Sequence, residues 1–234
     1  MKQIHKKSTP IPVEVPGCIH TDLLAEGLID DPFYRAQEFD AAWVAETDWE
    51  YSRDFVVDAS LLSHDRVELV CGGLDTLAAI RINDKLIEHT DNMFRRYQFD
   101  VRQVLKPGEN RIRILFESAV NYTEAQNKIR NLPTWNLQVL TGYPGHLRKE
   151  QCSFGWVWGI RTPTCGSWRD IGLAAFSGAR LQDVRISQEH IGGRVELTIQ
   201  IETEVFGGTA PKAAGNKILL YTDPHRCYRS NVIF

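Results

Sequence analysis

Apolar and polar residues alternate with a period of two along much of the first half of the chain. In residues 111–117, three apolar residues two apart share one face, which is typical of a half-buried strand. The same alternation predicts strands at residues 67–71, 79–82, 85–87 and 97–101. Asn83 and Asp84 tolerate a positive φ, so they predict a two-residue hairpin turn between the second and third of these strands.

Helical signals are few. Residues 21–27 combine a capping residue, good helix formers and a final glycine, which predicts one short helix, and residues 120–130 predict one or two further helical turns before Pro133. Many short strands separated by turn signals are typical of an antiparallel sandwich. We therefore predict an all-β fold of the sandwich or jelly-roll class.

The pattern changes near residues 176–179, which predicts a domain boundary. Beyond it, strands are predicted at residues 181–186, 194–202 and 218–221. A sandwich needs roughly seven strands, so these three do not complete one. We predict one domain in residues 1–178 and the incomplete start of a second β-sandwich in residues 179–234.

Charge and cysteine content narrow the function classes. The 234 residues include 27 Lys and Arg against 30 Asp and Glu, a net charge of −3, which argues against a nucleic-acid binder. No apolar run approaches the ~18 residues of a membrane span. The five cysteines form no CxxC pair, which favours free thiols and a cytoplasmic location. No Cys/His cluster has metal-ligand spacing and no phosphate-binding glycine loop occurs, so we predict no metal and no cofactor.

Trp156 and Trp158 are candidate sugar-binding residues. They lie beside glycines in a stretch that holds three of the six tryptophans, and an indole face can stack on the C–H face of a pyranose. The alternative is that the two residues share one face of a strand and fill a sandwich core. The spacing leaves both alternatives open.

Asn92 is a second candidate, since its amide can hydrogen-bond a ligand while the neighbouring Arg95 and Arg96 can hold an anionic group. The alternative is a polar loop with two solvated arginines. The carboxylates and histidines are scattered, so the sequence predicts no catalytic residue in this chain.

Several motifs together resemble the opening of family 2 glycoside hydrolases of the β-mannosidase type, in register over residues 12–175. The motifs are VPGCIHTDLL from residue 15, GLIDDPFY from residue 27, DNMFRRY from residue 91, RKEQC from residue 148, and GSWRDI from residue 166. This resemblance implies a galactose-binding-like jelly roll, then an immunoglobulin-like sandwich, then a catalytic barrel with the two glutamates of a retaining mechanism. It also implies that the jelly roll closes one wall of a pocket for a β-mannoside-type carbohydrate.

The chain departs from the family's pattern in two respects. It ends at Phe234 and contains no Asn-Glu dipeptide, which in the family holds the acid/base glutamate, so we expect both catalytic carboxylates to be absent. The family's tryptophan motif has an aspartate between its tryptophans, implicated in holding substrate hydroxyls, whereas this chain has Val157. The lost hydrogen bond is worth about 1.5–3 kcal/mol. Trp156 and Trp158 match the motif, and Asn92 matches a position that faces the pocket in related enzymes.

The resemblance predicts the N-terminal, sugar-binding-like region of a β-mannosidase-like hydrolase, inactive by itself. The alternatives are a stand-alone carbohydrate-binding module and a purely structural domain. A half-built second sandwich disfavours a complete binding module, because it leaves strand edges unpaired. The oligomeric state is left open.

Overall fold

The computed structural model describes residues 9–134, 141–156 and 158–206. The chain divides into two compact units, Met1–Ser63 with Val67–Ala174 and His64–Arg66 with Ala175–Phe234. The strands up to residue 176 are β1 (Trp49–Val57), β2 (Arg66–Cys71), β3 (Leu74–Asp75), β4 (Ala78–Ile82), β5 (Lys85–Thr90), β6 (Tyr97–Asp100), β7 (Gly108–Phe116), β8 (Gly166–Ser167) and β9 (Ile171–Phe176).

The strands form an antiparallel framework. One sheet has the order β1-β7-β4-β5, a second has the order β6-β2-β9, and β3 pairs with β8. Ile80 and Phe116 of the first sheet and Val67 of the second are fully buried, so the apolar face of each sheet forms the core. The predicted all-β sandwich is confirmed.

The predicted hairpin between β4 and β5 is confirmed, with φ of 49° at Asn83 and 65° at Asp84. By contrast, β1 was not predicted from the pattern. Its inward-facing series of Trp49, Tyr51 and Phe55 is interrupted by Arg53, which is exposed. Because this one polar residue interrupts the alternation, the pattern does not predict this strand of nine residues.

Helices connect and cover the sheets. They are α1 (Ile19–Ala25), α2 (Gln37–Asp40), α3 (Ala42–Ala45) and α4 (Ala119–Ile129), with 3-10 turns at Leu61–Ser63, Pro144–His146 and Gln151–Phe154. The structure confirms both predicted helices, although α1 begins two residues before the predicted start. The sequence analysis did not predict the two single-turn helices α2 and α3. Val44 of α3 packs with Ile19 and Leu23 of α1 in one apolar cluster.

The second unit contains a hairpin of β10 (Ala179–Ile191) and β11 (Arg194–Val205). Gly192 and Gly193 form its turn with φ of 55° and 78°, a conformation that favours glycine. At the open end of the hairpin, Arg180 pairs with Glu204 at 2.7 Å. The strand predicted at residues 218–221 lies outside the described residues, and the immunoglobulin-like assignment stays a prediction.

Candidate carbohydrate-binding site

Trp156 and Trp158 lie on a tight turn, which we call the tryptophan turn (residues 155–159). The amide of Trp156 donates to the carbonyl of Gly159, and the amide of Gly159 donates back, both at 3.3 Å. The indoles meet edge to face with centroids 5.7 Å apart. Their exposed fractions are 41% and 85%. The alternative that both residues fill a sandwich core from one strand is therefore wrong. Val157 lies outside the described residues.

The chain reverses here because Gly155 ends the preceding 3-10 turn with a φ of 107°, a value that L side chains rarely adopt. Just before it, Phe154 is fully buried and packs with Leu77, Ala119 and Leu147. A buried anchor followed by a glycine places the two indoles at the surface.

The other end of the tryptophan turn is held by α2. The amide of Arg161 donates to the Glu38 carboxylate at 2.7 Å, and the Arg161 guanidinium lies 4.5 Å from the centre of the Phe39 ring. The amide of Thr162 donates to the Ser153 carbonyl at 2.9 Å. The turn is therefore tied to the first unit on both sides of its exposed rings.

Asn92 shapes its own loop. Its side-chain oxygen accepts a hydrogen bond from the amide of Phe94 at 3.0 Å, and its own backbone amide donates to the Tyr97 hydroxyl at 3.1 Å. This is an Asx turn, in which the side chain replaces a backbone acceptor. Both Arg95 and Arg96 are exposed, in line with the polar-loop alternative. A ligand-binding role for Asn92 stays a prediction.

The described residues show no hydrogen bond or ring contact between Asn92 and the tryptophan pair, but a short segment connects their loops. The amide of Met93 donates to the Arg148 carbonyl at 3.0 Å, and the amide of Glu150 contacts the Met93 sulfur at 3.1 Å. The 3-10 turn Gln151–Phe154 that leads to the tryptophan turn follows directly. Residues 148–150 are therefore the bridge between the two predicted parts of the site.

The third tryptophan of the stretch, Trp168, is structural. Its indole nitrogen donates to the Met93 carbonyl at 3.1 Å, and Arg169 lies over its ring at 4.2 Å. A Cβ at Gly73 would lie 2.5 Å from the same indole nitrogen, so the ring packs directly on the glycine backbone. Three tryptophans close together in sequence therefore divide into an exposed pair and a packed single residue.

Beneath this segment lies a buried charge cluster that the sequence analysis did not identify. We call Lys149, Asp75, Glu150 and Thr76 the Lys149 cluster. The Lys149 ammonium donates to the Asp75 carboxylate and, at 3.0 Å, to Glu150, while the Thr76 hydroxyl donates to Asp75. Exposed fractions are only 2% for Lys149 and 3% for Asp75. Burial raises the pKa of Asp75, and the charge of Lys149 opposes that increase.

His20 of α1 is sensitive to the same lysine. Its pKa is lowered from 6.5 to about 4, first by burial and then by the positive charge of Lys149. The imidazole is therefore neutral at pH 7. Its Nδ1 is buried without a hydrogen-bond partner among the described residues. No local sequence signal identifies the Lys149 cluster, because Asp75 and Lys149 are 74 positions apart in the chain.

The arrangement favours recognition of a neutral ligand over acid–base chemistry. Exposed indoles offer apolar faces, whereas the two carboxylates around Lys149 are bound to its ammonium. Within the described ranges, no group of three or more His, Cys, Asp or Glu residues is arranged to hold a metal ion. None of the described helices is long and apolar enough to cross a membrane.

Comparison with known proteins places residues 1–169 in a family model described as glycosyl hydrolase 2 galactose-binding domain-like. The β-mannosidase of Rattus norvegicus is 34% identical over an aligned length of 232 residues, and the match covers 97% of this chain and 26% of that protein. The β-mannosidase of Capra hircus is 36% identical, with 96% of this chain and 26% of that protein covered. The chain thus spans about a quarter of the length of these relatives.

Solved structures show the same likeness. The β-D-mannosidase of Dictyoglomus thermophilum is 34% identical with a TM-score of 0.76, covering 86% of this chain and 24% of that one. The exo-chitosanase CsxA of Amycolatopsis orientalis is 19% identical with a TM-score of 0.59, covering 83% of this chain and 20% of that one. At that identity, the second likeness shows the fold alone.

Proposed function

This chain belongs to the glycosyl hydrolase 2 galactose-binding domain-like family, as an N-terminal region of β-mannosidase-like proteins, and from that premise we propose that it binds a β-mannoside-type sugar through the tryptophan turn. The observation that supports this proposal is the exposure of both indoles on a turn that is anchored on either side. Exposed apolar patches on a protein surface commonly mark the place where a ligand or partner binds. A pyranose presents an apolar C–H face that matches an indole face.

The proposal concerns binding rather than turnover. A retaining glycosidase needs two carboxylates about 5–5.5 Å apart on either side of the scissile bond. In the described residues, the carboxylates of Asp75 and Glu150 both pair with the Lys149 ammonium. We therefore expect the purified chain to leave an aryl β-mannoside uncleaved, and turnover that persists after further purification would contradict this.

The relatives named β-mannosidase suggest the sugar class, and the chain itself suggests a weak affinity. Where the family has an aspartate, Val157 offers no hydrogen-bond acceptor. Binding would then depend on stacking alone in the tryptophan turn. A cytoplasmic location stays a prediction, consistent with the four free cysteines of the described residues.

A fluorescence titration tests the proposal. Mannose and mannobiose should change the tryptophan emission of the chain saturably, and Trp158→Ala should abolish the change, because Trp158 exposes the larger stacking surface. The matched control is Trp43→Ala, since Trp43 is exposed to 44%, as Trp156 is to 41%, but lies on α3. A saturable change that survives in a Trp156→Ala/Trp158→Ala double variant would overturn the assignment of the site.

A further inference from the structure

A hollow of about 450 Å³ opens between β5 and β6 in the first unit. These are edge strands of the four-stranded and three-stranded sheets, so the hollow lies where the two sheets are open at the side. Ligand pockets have volumes of about 300–1,000 Å³. The volume of this hollow lies within that range and is large enough for a single sugar ring. None of its lining residues belongs to the tryptophan turn.

One wall of the hollow is aromatic and rigid. Tyr97 and Phe99 are two apart on β6, and their rings stack with centroids 5.9 Å apart and planes inclined by 16°. The Tyr97 hydroxyl is fixed by the amide of Asn92 at 3.1 Å. Since Tyr97 is buried and Phe99 is half-buried, the pair offers a preformed apolar surface rather than two mobile side chains.

Polar side chains also line the hollow. Glu88 lies on β5, Glu117 follows β7, and Arg95 lies on the connecting loop with its guanidinium 5.4 Å from the centre of the Tyr97 ring. Among the described residues, the Glu117 carboxylate makes no hydrogen bond or ion pair, and the Arg95 guanidinium makes only its ring contact. Carboxylates accept hydrogen bonds from hydroxyl groups, and a guanidinium donates hydrogen bonds to hydroxyl oxygens.

We propose that this hollow is a second carbohydrate-binding site, which takes a single neutral hexopyranose. The C–H face of the sugar lies against Phe99, its hydroxyls donate to Glu117 and Glu88, and a hydroxyl oxygen accepts from Arg95. Donors and acceptors around an aromatic wall fit a polyhydroxylated ring better than an apolar ligand, because an apolar ligand would leave these polar groups unpaired. Because the hollow shares no lining residue with the tryptophan turn, sugar binding at each of the two sites can be tested separately.

Nuclear magnetic resonance can distinguish the two sites. The ¹⁵N-labelled chain is titrated with mannose, glucose and galactose while the backbone amides of His89, Thr90 and Arg95 report on the hollow and the indole N–H signals report on the tryptophan turn. We expect at least one sugar to shift the hollow signals saturably, both in the unchanged chain and in the Trp156→Ala/Trp158→Ala variant. Unmoved indole signals would count against the proposed function but not against the hollow.

Variants at neighbouring arginines complete the test. Arg95→Gln should weaken binding in the hollow about tenfold, the effect of losing a charge-assisted hydrogen bond. Arg96→Gln is the matched control, because Arg96 is exposed next in sequence but does not line the hollow. Absence of saturable shifts at the hollow with all three sugars, or equal affinities in the two variants, would overturn the proposal.

Discussion

The tryptophan turn and Lys149 lie within ten residues of one another in the chain, and their side chains meet opposite environments. Trp158 is exposed to 85%, whereas Lys149 is exposed to 2% and pairs with a carboxylate from β3. The exposed pair contributes little to folding because its rings bury little surface. The buried pair contributes nothing to a ligand directly, but it fixes the segment on which the rings stand. The proposed recognition surface and the residues that support it are therefore separate sets.

Removing the buried positive charge should have the largest effect. Lys149→Met leaves the buried Asp75 without its positively charged partner, so we expect the free energy of unfolding to fall by about 3–5 kcal/mol. Urea denaturation measures the change. The control is Arg111→Met, which breaks the exposed pair of Arg111 with Asp54 at 2.6 Å and should leave the midpoint almost unchanged. Equal midpoints for the two variants would show that the Lys149 cluster does not support the fold.

Acidification should affect the same buried region. Between pH values of about 6.5 and 4, the unfolded chain binds a proton on His20 that the native chain does not, so stability falls as the pH falls through this window. The loss amounts to about 3.5 kcal/mol at most, since each pKa unit corresponds to about 1.4 kcal/mol. Urea midpoints measured across this range check it. His20→Gln should flatten the dependence of the urea midpoint on pH. The control, His89→Gln on β5, should leave that dependence unchanged. If the midpoint of His20→Gln still falls with pH as steeply as before, another group is responsible.

Restoring a polar group to the exposed side should have a smaller effect, on binding rather than on stability. Val157→Asp adds a carboxylate between the two tryptophans, where the family's pattern has one. A charge-assisted hydrogen bond to a sugar hydroxyl is worth about 1.5–3 kcal/mol, so we expect at least about tenfold tighter mannobiose binding. Val157→Asn, which is similar in size but uncharged, should give a smaller gain. Unchanged affinity in Val157→Asp would mean that position 157 does not face the sugar.

The local parts of the fold could be predicted from the sequence. The Asn83–Asp84 turn depends on the φ preference of two residues, and α4 lies in a segment that ends shortly before the helix-breaking Pro133. The environment of Trp156 and Trp158 could not be decided, because a period of two is common to a strand and to a hairpin turn. The burial of Phe154 and the positive φ of Gly155, both properties of the folded chain, place the indoles at the surface. The pairing of Asp75 with Lys149 could not be predicted because it joins β3 to a loop 74 positions away.

If the exposed indoles bind sugar while the buried cluster supports them, binding and stability must separate in one variant. Calorimetric titration of mannobiose into the folded Trp156→Ala/Trp158→Ala variant, with its urea midpoint measured on the same sample, tests this separation. We predict an unchanged midpoint, together with loss of the binding heat that belongs to the tryptophan turn. Full mannobiose affinity at the native midpoint would mean that the indoles are not the binding surface.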